Sequence, residues 1–255
     1  MSTPTRTVPA SRASWHAAEI TDTRPETGSA ARLTLQVDGW PGNLPGQHVD
    51  VRLTAPDGYT ATRSYSLASS GDGASVVLAV DRLPDGEVSP YLVDVAQVGD
   101  RVEVRGPLGG YFVWRPPASG AAVRPVQLIA GGSGVVPLYS IVQAHADAAD
   151  ATPVRLLYSV RTPDDVFFAD ELDAATRGSG PFALDLVYTR RAPAGATRAA
   201  GRVTREVLRA AVIPPEQNPV IYVCGSTRFV ETVASWLLDD GHDRRSIRTE
   251  RYGGT

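Results

Sequence analysis

A glycine-rich segment in the middle of the chain has the pattern of a phosphate-binding loop. Gly131-Gly-Ser-Gly134 follows the apolar run Gln127-Leu-Ile-Ala130 and precedes Val135-Val-Pro137. Glycine lets the backbone approach a phosphate closely, and the N–H groups at the start of a helix attract an anion. The pattern therefore predicts a strand, a loop that holds a pyrophosphate, and a helix. A plain tight turn remains the alternative, because the complete G-x-G-x-x-G sequence is absent.

A second group with chemical potential is Arg63-Ser-Tyr-Ser66. On a strand, residues two apart point to the same face, so Arg63 and Tyr65 share one. A guanidinium beside an aromatic ring can hold a phosphate and stack on a flat heterocycle. The alternative is a cross-strand aromatic pair with a solvated arginine.

Composition excludes several other chemistries. The chain has 255 residues and a formal net charge of −3, so we expect no binding to nucleic acid or to an anionic membrane. Every cationic side chain is arginine, which excludes a phosphate-binding lysine and Schiff-base chemistry. The lone Cys224 and four scattered histidines predict no disulfide, no all-cysteine iron–sulfur cluster and no metal site. With no apolar leader and no run of 18 apolar residues, we expect a cytoplasmic protein without a membrane span.

The periodicity of the sequence changes after a proline-rich segment at 116–124, which we interpret as a linker. Residues 13–115 contain short runs of strand composition separated by Gly, Pro and Asp, which predicts an antiparallel β barrel. These runs include Leu33–Val37, Val49–Leu53, Val76–Val80 and Val102–Val104. A short helix is predicted near Ser89, with Ser89 as its N-cap and Pro90 as its first residue. Residues 1–12 are predicted to form a flexible tail.

Residues 125–255 alternate between strand-like and helix-like stretches. This alternation predicts an α/β domain with a doubly wound, parallel, five-stranded sheet. We expect strands at 126–130, 154–160, 184–188, 220–223 and 246–250, and helices near 135–148, 167–176, 202–211 and 227–239.

Taken together, six motifs resemble the ferredoxin–NADP reductase family of flavoproteins, in its compact form without an attached iron–sulfur domain. The resemblance extends from about Trp15 to Gly254, and the motifs occur in the family's order. They are Arg63–Ser66, Gly86-Glu-Val-Ser89, Gly106-Pro-Leu-Gly109, Gly131–Pro137, Tyr222-Val-Cys-Gly225 and Glu250-Arg-Tyr252.

The resemblance implies a barrel that binds flavin and an α/β domain that binds NAD(P). Arg63 would pair with a flavin phosphate, Tyr65 would lie against the isoalloxazine, and Ser66 would bond near its N5. Tyr252 would cover the other face of the ring with Glu250 nearby, although Gly253-Gly-Thr255 follows it as an expected mobile tail. The other implied flavin-side residues are Ser64, Val80, Arg82 and the backbone of Gly86, Val88 and Ser89. The implied nucleotide-side residues are Gly132, Ser133, Gly134, Cys224 and Gly225, and Cys224 is expected to position the rings rather than act as a nucleophile.

Arginines at strand ends bear on the choice of nucleotide. Ser159-Val-Arg161 ends the second parallel strand and Thr189-Arg-Arg191 ends the third, at the edge where open α/β sheets bind ligands. The family grips a 2′-phosphate at these two places, so we predict NADPH over NADH. Two charge-assisted contacts of about 1.5–3 kcal/mol each would discriminate by roughly 10²–10⁴ in affinity. Asp164 and Asp165 argue the other way, because either could bind a ribose hydroxyl.

The function implied is an NAD(P)H-dependent flavoprotein oxidoreductase. Hydride would pass from NADPH to N5 of FAD, and electrons would then pass to a separate acceptor such as ferredoxin. FMN stays open as the flavin, since a single-phosphate flavin uses a similar site. The alternatives are a reductase of free flavin, quinone or ferric chelate, a non-catalytic flavin-binding subunit, and a plain nucleotide-binding module. Arginines 244, 245, 248 and 251 are expected near the flavin, where they could meet an acidic ferredoxin.

Overall fold

The computed structural model describes residues 13–117, 123–148, 151–178 and 180–252. Within these ranges the first half forms the strands β1 (Ser14–Thr27), β2 (Ala30–Val37), β3 (His48–Thr54), β4 (Thr60–Ser66), β5 (Ser75–Asp81) and β6 (Arg101–Leu108). The second half forms β7 (Val126–Gly131), α1 (Val135–Asp147), β8 (Val154–Val160), α2 (Ala169–Arg177), β9 (Phe182–Tyr188), α3 (Arg205–Ala211), β10 (Val220–Ser226), α4 (Thr227–Asp239) and β11 (Ile247–Tyr252). The predicted tail at 1–12, residues 118–122 of the predicted linker and the predicted tail at 253–255 lie outside the described residues.

The first half is an antiparallel sheet that curls toward closure. Its strand order is β4-β3-β6-β1-β2-β5, and all its pairings are antiparallel. The two outer strands approach each other where Leu67, just after β4, bridges to Leu78 of β5. Alternate residues of the strands point inward and form a buried core that includes Ile20, Leu33, Leu35, Val49 and Leu78. The prediction of an antiparallel barrel is confirmed.

The second half is a parallel sheet with helices packed against it. Its order is β11-β10-β7-β8-β9, and each neighbouring pair is parallel. Two buried clusters on its two faces contain the inward-facing residues of the strands together with those of the helices. The predicted doubly wound sheet of five strands is confirmed. Because the strands are parallel, their carboxyl ends meet at one edge, and the candidate nucleotide-side residues described below lie there.

The short helix begins at Ser89 as predicted, but Ser89 does not cap it. Residues 89–90 are helical and lead into a π-helical turn over Tyr91–Val95, whose capping position is Pro90. The hydroxyl of Ser89 is engaged elsewhere, because it accepts a hydrogen bond from the N–H of Leu83 at 3.1 Å. Ser89 therefore fixes the preceding loop instead of capping the helix.

In the part of the chain that the structure describes, no helix has the length and apolar character needed to cross a membrane.

Candidate functional site

The glycine loop is pressed against the end of β10. After β7 it forms one turn of 3₁₀ helix over Gly132–Gly134 and continues directly into α1. A Cβ placed on Gly134 would lie 2.4 Å from the carbonyl oxygen of Cys224 and 2.7 Å from the nitrogen of Gly225. Gly132 has φ +56°, in the left-handed region. Gly134 is required because a side chain there would collide with backbone, and Gly132 because residues with a side chain disfavour its conformation.

The ends of β10 and β11 supply the neighbouring side chains. Cys224 is paired in register with Glu250, and Ser226 with Tyr252. The hydroxyl of Tyr252 donates to the carbonyl oxygen of Gly131 at 2.5 Å, which ties β11 to the loop. Cys224 is 1% exposed, and burial, followed by the charge of Glu250, raises the pKa of its thiol well above the ordinary value. The thiol is therefore neutral, as expected of a group that packs rather than attacks.

One hydrogen bond joins the barrel to this edge of the parallel sheet. Ser66, the last residue of β4, donates from its hydroxyl to Oε1 of Glu250 at 3.1 Å. Burial raises the pKa of Glu250 to about 7, and the hydrogen bond from Ser66 opposes that rise. A carboxyl that titrates near neutrality thus lies at the junction of the two halves, beside Cys224 and within two residues of Tyr252.

The outer part of β4 presents the remaining residues of its motif. Arg63 is exposed, and its guanidinium pairs with Glu87 at 2.6 Å. Burial raises the pKa of Tyr65 to about 12, and the nearby Arg63 acts in the opposite direction. Ser64 points to the opposite face and donates to Asp50 at 2.6 Å, so its side chain does not share a surface with Arg63 and Tyr65.

The Gly86–Ser89 loop lies beside Arg63, as the contact between Arg63 and Glu87 shows. A Cβ on Gly86 would lie 2.9 Å from Oγ of Ser89, so the loop is tightly folded. Val88 is buried in the barrel core, and Arg82 pairs with Asp94 at 3.3 Å. The prediction for Val80 finds no support in its side chain, which the alternation of β5 turns into the core.

The residues present fit a flavin. An exposed guanidinium, a tyrosine ring and a serine hydroxyl follow one another along the outer end of β4, with the tight loop beside the guanidinium. These groups suit a phosphate, a flat ring and a polar ring edge in that order.

A cleft of about 370 Å³ runs between the barrel and the carboxyl edge of the parallel sheet. The predicted residues that line it are Gly132, Ser133, Ser159, Arg161, Thr189 and Tyr252. Asp165, considered from the sequence as a ribose ligand, also lines it. The sequence reasoning missed Ser29, Asp81, Phe167 and Phe229. No local pattern marks these four, because they come from separate elements that only the fold brings together.

The charged groups at the end of the cleft divide into two sets. Asp164 pairs with Arg191, and Asp165 accepts bonds from the backbone and hydroxyl of Thr162 at 2.9 and 2.6 Å. Within the described ranges, no hydrogen bond or ion pair joins the guanidiniums of Arg161 and Arg190 to a carboxylate. One oxygen, Oδ2, of each acidic residue that argued for a ribose hydroxyl is thus already engaged by the protein.

The four arginines expected near the flavin, at 244, 245, 248 and 251, do not lie together. Arg244 and Arg245 precede β11 and lie at the end of that strand opposite to Tyr252, so their expected position was wrong. Arg248 donates to the carbonyl oxygen of Val113 at 2.6 Å and to the hydroxyl of Tyr222 at 2.9 Å. Only Arg251, which is exposed, stands at the same end of β11 as the site.

Comparison with known proteins agrees with this geometry. The oxidoreductase FAD-binding domain family matches residues 20–113, and the oxidoreductase NAD-binding domain family matches residues 128–235. Ferredoxin–NADP reductase B of Sorangium cellulosum is 32% identical over 215 residues, which cover 81% of this chain and 84% of that protein. These matches and the two-part site define a flavin- and nucleotide-binding oxidoreductase. The chain belongs to the ferredoxin–NADP reductase family of FAD-dependent NAD(P)H oxidoreductases.

Two further comparisons concern a longer relative and a solved structure with a more distant sequence. The glycine betaine monooxygenase reductase subunit of Chromohalobacter salexigens is 32% identical over 213 residues, which cover 83% of this chain. The chain spans only 56% of that relative's length. The FAD/NAD-binding domain of nitric oxide dioxygenase from Vibrio cholerae shares the fold, with a TM-score of 0.81 at 24% identity over 94% of this chain and 99% of that one.

Proposed function

We propose that the protein oxidises NADPH with FAD as its cofactor and passes the electrons to a separate acceptor protein. The observation that carries the proposal is the contact of Ser66 with Glu250. It brings the end of the flavin-binding motif to the carboxyl edge of the parallel sheet, next to the glycine loop. A flavin on β4 and a nicotinamide at that loop would therefore meet.

FAD, when bound, supplies a ring that accepts hydride and can release electrons one at a time. The chain's own residues bind and orient the two ligands. Arg63 provides a cation for the flavin phosphates, and Tyr65 provides a flat surface for the ring. The loop at Gly132–Gly134 offers backbone N–H groups and the positive end of α1 to the nucleotide phosphates. Positioning of this kind is sufficient for hydride transfer, because no strong acid or base is needed.

Glu250 can hold a proton at the junction of the two ligands. Its pKa of about 7 leaves the carboxyl partly protonated at neutral pH. The charged form accepts a hydrogen bond from the Ser66 hydroxyl, and the protonated form can donate one to it. The backbone of Cys224 packs against Gly134 and so supports the glycine loop.

The preference for NADPH rests on Arg161 and Arg190, which have no carboxylate partner among the described residues. Arg161 and Thr189 line the cleft, while Asp164 and Asp165 are engaged by Arg191 and Thr162. The guanidiniums are therefore free to bind a 2′-phosphate, whereas one oxygen of each carboxylate is already bound by the protein.

The visible spectrum of the purified protein, before and after anaerobic NADPH, tests the reaction. We expect a yellow protein whose flavin absorbance is bleached by NADPH. A colourless protein that takes up no added FAD would refute the flavin, and a yellow protein that NADPH does not bleach would indicate a non-catalytic flavin-binding subunit.

The nucleotide preference is tested by comparing kcat/KM for NADPH and NADH in the wild type and in Arg161→Gln. The variant should lose about 10-fold or more with NADPH and little with NADH, since one charge-assisted contact contributes about 1.5–3 kcal/mol. Arg177→Gln is the control, because Arg177 lies on α2 and pairs with Asp173 instead. Equal kcat/KM values for the two nucleotides in the wild type would overturn the preference.

A protein acceptor is proposed because several relatives are reductase or electron transfer components of oxygenases. Exposed Arg251 and the partly exposed ring of Tyr252 lie at the same end of β11 as the site. Reduction of an added ferredoxin, compared with reduction of free flavin, quinone and ferric chelate, separates the two kinds of acceptor. Faster turnover with a small molecule at equal concentration would favour the small-molecule reductase.

A further inference from the structure

A buried group of charges joins the barrel to the nucleotide-binding domain through β1 and β2. Arg32 of β2 bonds through Nε to Oε2 of Glu26 at 2.5 Å and through Nη1 to Oε1 of Glu171 at 2.5 Å. Glu26 belongs to β1 and Glu171 to α2, so one guanidinium bridges the two halves. The side chains of Glu26 and Arg32 are only 4% and 12% exposed. Charges this buried are rare without a specific partner, which each of them has here.

The same group holds the start of α2. The second oxygen of Glu26 accepts a hydrogen bond from the backbone N–H of Phe168, the capping residue of α2. Phe168 has φ +55°, a left-handed conformation that a bulky residue adopts only when its surroundings enforce it. Arg32 lies over its ring at 4.5 Å to the centroid, and Tyr139 of α1 stacks on it at 3.8 Å. Contacts from the barrel thus fix both the backbone and the ring of Phe168.

Phe168 ends the segment 161–168, which leads from β8 to α2 along the nucleotide cleft. Three residues of that segment, Arg161, Asp165 and Phe167, line the cleft. The backbone N–H of Phe167 is also held, by the hydroxyl of Tyr158 at 3.3 Å. The segment is therefore anchored at its far end by the barrel, although the cleft residues themselves belong to the other domain.

We infer that Glu26, Arg32 and Glu171 form an interdomain clamp that positions the segment 161–168 for nucleotide binding. The three are positioning residues, because they act on the cleft through Phe168 and do not line it. The inference rests on the proposed function for its effect on NADPH, but the placement of the segment can be measured without turnover. Loosening the clamp should weaken nucleotide binding and leave flavin binding unchanged, because Arg63, Tyr65 and Ser66 make no contact with the clamp residues among the bonds of the described chain.

The experiment compares the wild type with Glu171→Gln and Glu26→Gln, all with bound flavin. Glu171 is one-third exposed, so its variant removes a charge from the clamp without leaving a deeply buried gap. Glu26→Gln keeps an oxygen that can accept from Phe168 but loses the charge that faces Arg32. Glu103→Gln is the matched control, because Glu103 and Arg52 form a similar two-bonded pair that lies wholly within the barrel.

Two measurements decide the outcome. The first is hydrogen exchange of peptides covering 161–168, which should accelerate about 10-fold or more in both clamp variants and not in Glu103→Gln. The second is the KM for NADPH, which should rise about 10-fold while kcat and flavin content stay within 2-fold of the wild type. A purely structural role would slow turnover and loosen the whole chain equally.

Unchanged exchange at 161–168 in Glu171→Gln would overturn the clamp, even if Glu26→Gln failed to fold. A changed KM with unchanged exchange would overturn it as well. If the wild type itself does not oxidise NADPH, the proposed function fails, while the exchange measurement still decides whether the clamp holds the segment.

Discussion

The stability of the protein should depend on pH through Glu250 in a direction opposite to that of most carboxyls. Burial raises its pKa from 4.5 to about 7, with the hydrogen bond from Ser66 acting against that rise. Between these two pH values the folded protein keeps a proton that the unfolded chain has lost. The stability that this proton contributes is complete below pH 4.5 and is lost as pH rises through about 7. A difference of about 2.5 pKa units corresponds to about 3 kcal/mol.

The assay is urea unfolding of the wild type and Glu250→Gln, followed by tryptophan fluorescence from pH 4.5 to pH 8. Glutamine is neutral throughout, so the stability of Glu250→Gln relative to the wild type should rise by about 3 kcal/mol across that range. Other titrating groups cancel in the difference. Glu103→Gln is the control with the opposite sign, because the hydrogen bond from Arg52 lowers the pKa of Glu103. A difference between Glu250→Gln and the wild type that stays constant with pH would refute the burial argument.

Three further changes test separate parts of the site. Gly134→Ala places a methyl group 2.4 Å from the Cys224 carbonyl oxygen. Unfolding should show a loss of about 1–3 kcal/mol in stability, and NADP⁺ titration should show weaker binding. Gly28→Ala, whose added methyl group would have nothing within 4 Å, should match the wild type in both measurements. Arg63→Gln should raise the FAD dissociation constant about 10- to 100-fold in apoprotein titrations, since a charge-assisted phosphate contact contributes about 1.5–3 kcal/mol; an unchanged constant would exclude Arg63 from the phosphate site. Ser66→Ala should shift the Glu250 midpoint in the urea series to higher pH, because the Ser66 bond lowers that pKa; an unshifted midpoint would contradict the contact.

Most of the fold could be predicted from local sequence patterns. The central parallel strands β7, β8 and β10 are short, mostly apolar runs, and the helices between the strands have about the expected lengths, so their order could be predicted. The long strand β1 was not singled out. Its residues are mostly exposed or half-buried and it contains Pro25, so it lacks a regular apolar alternation. Its pairing with β2 and β6 becomes visible only from the register of the sheet.

The candidate site divides in the same way. Glycines and the Arg63–Ser66 motif are contiguous, and a contiguous pattern can be seen in the sequence. The contacts that make the site specific join distant residues, such as Ser66 with Glu250 and Arg32 with Glu171. Glu87 is an intermediate case: it lies inside the Gly86–Ser89 motif, but its pairing with Arg63 and with the hydroxyl of Tyr59 depends on how two loops meet.

The register of β11 against β10 has a consequence for insertions and deletions. Glu250 and Tyr252 are two residues apart, so they point to the same side of the sheet, while Thr249 and Arg251 point to the other. Removing one residue between Ile247 and Thr249 would exchange the two pairs and turn the carboxyl and the phenol away from the cleft, with every functional residue still present. The geometry of the site is thus set by a count of residues along β11 as much as by their identity.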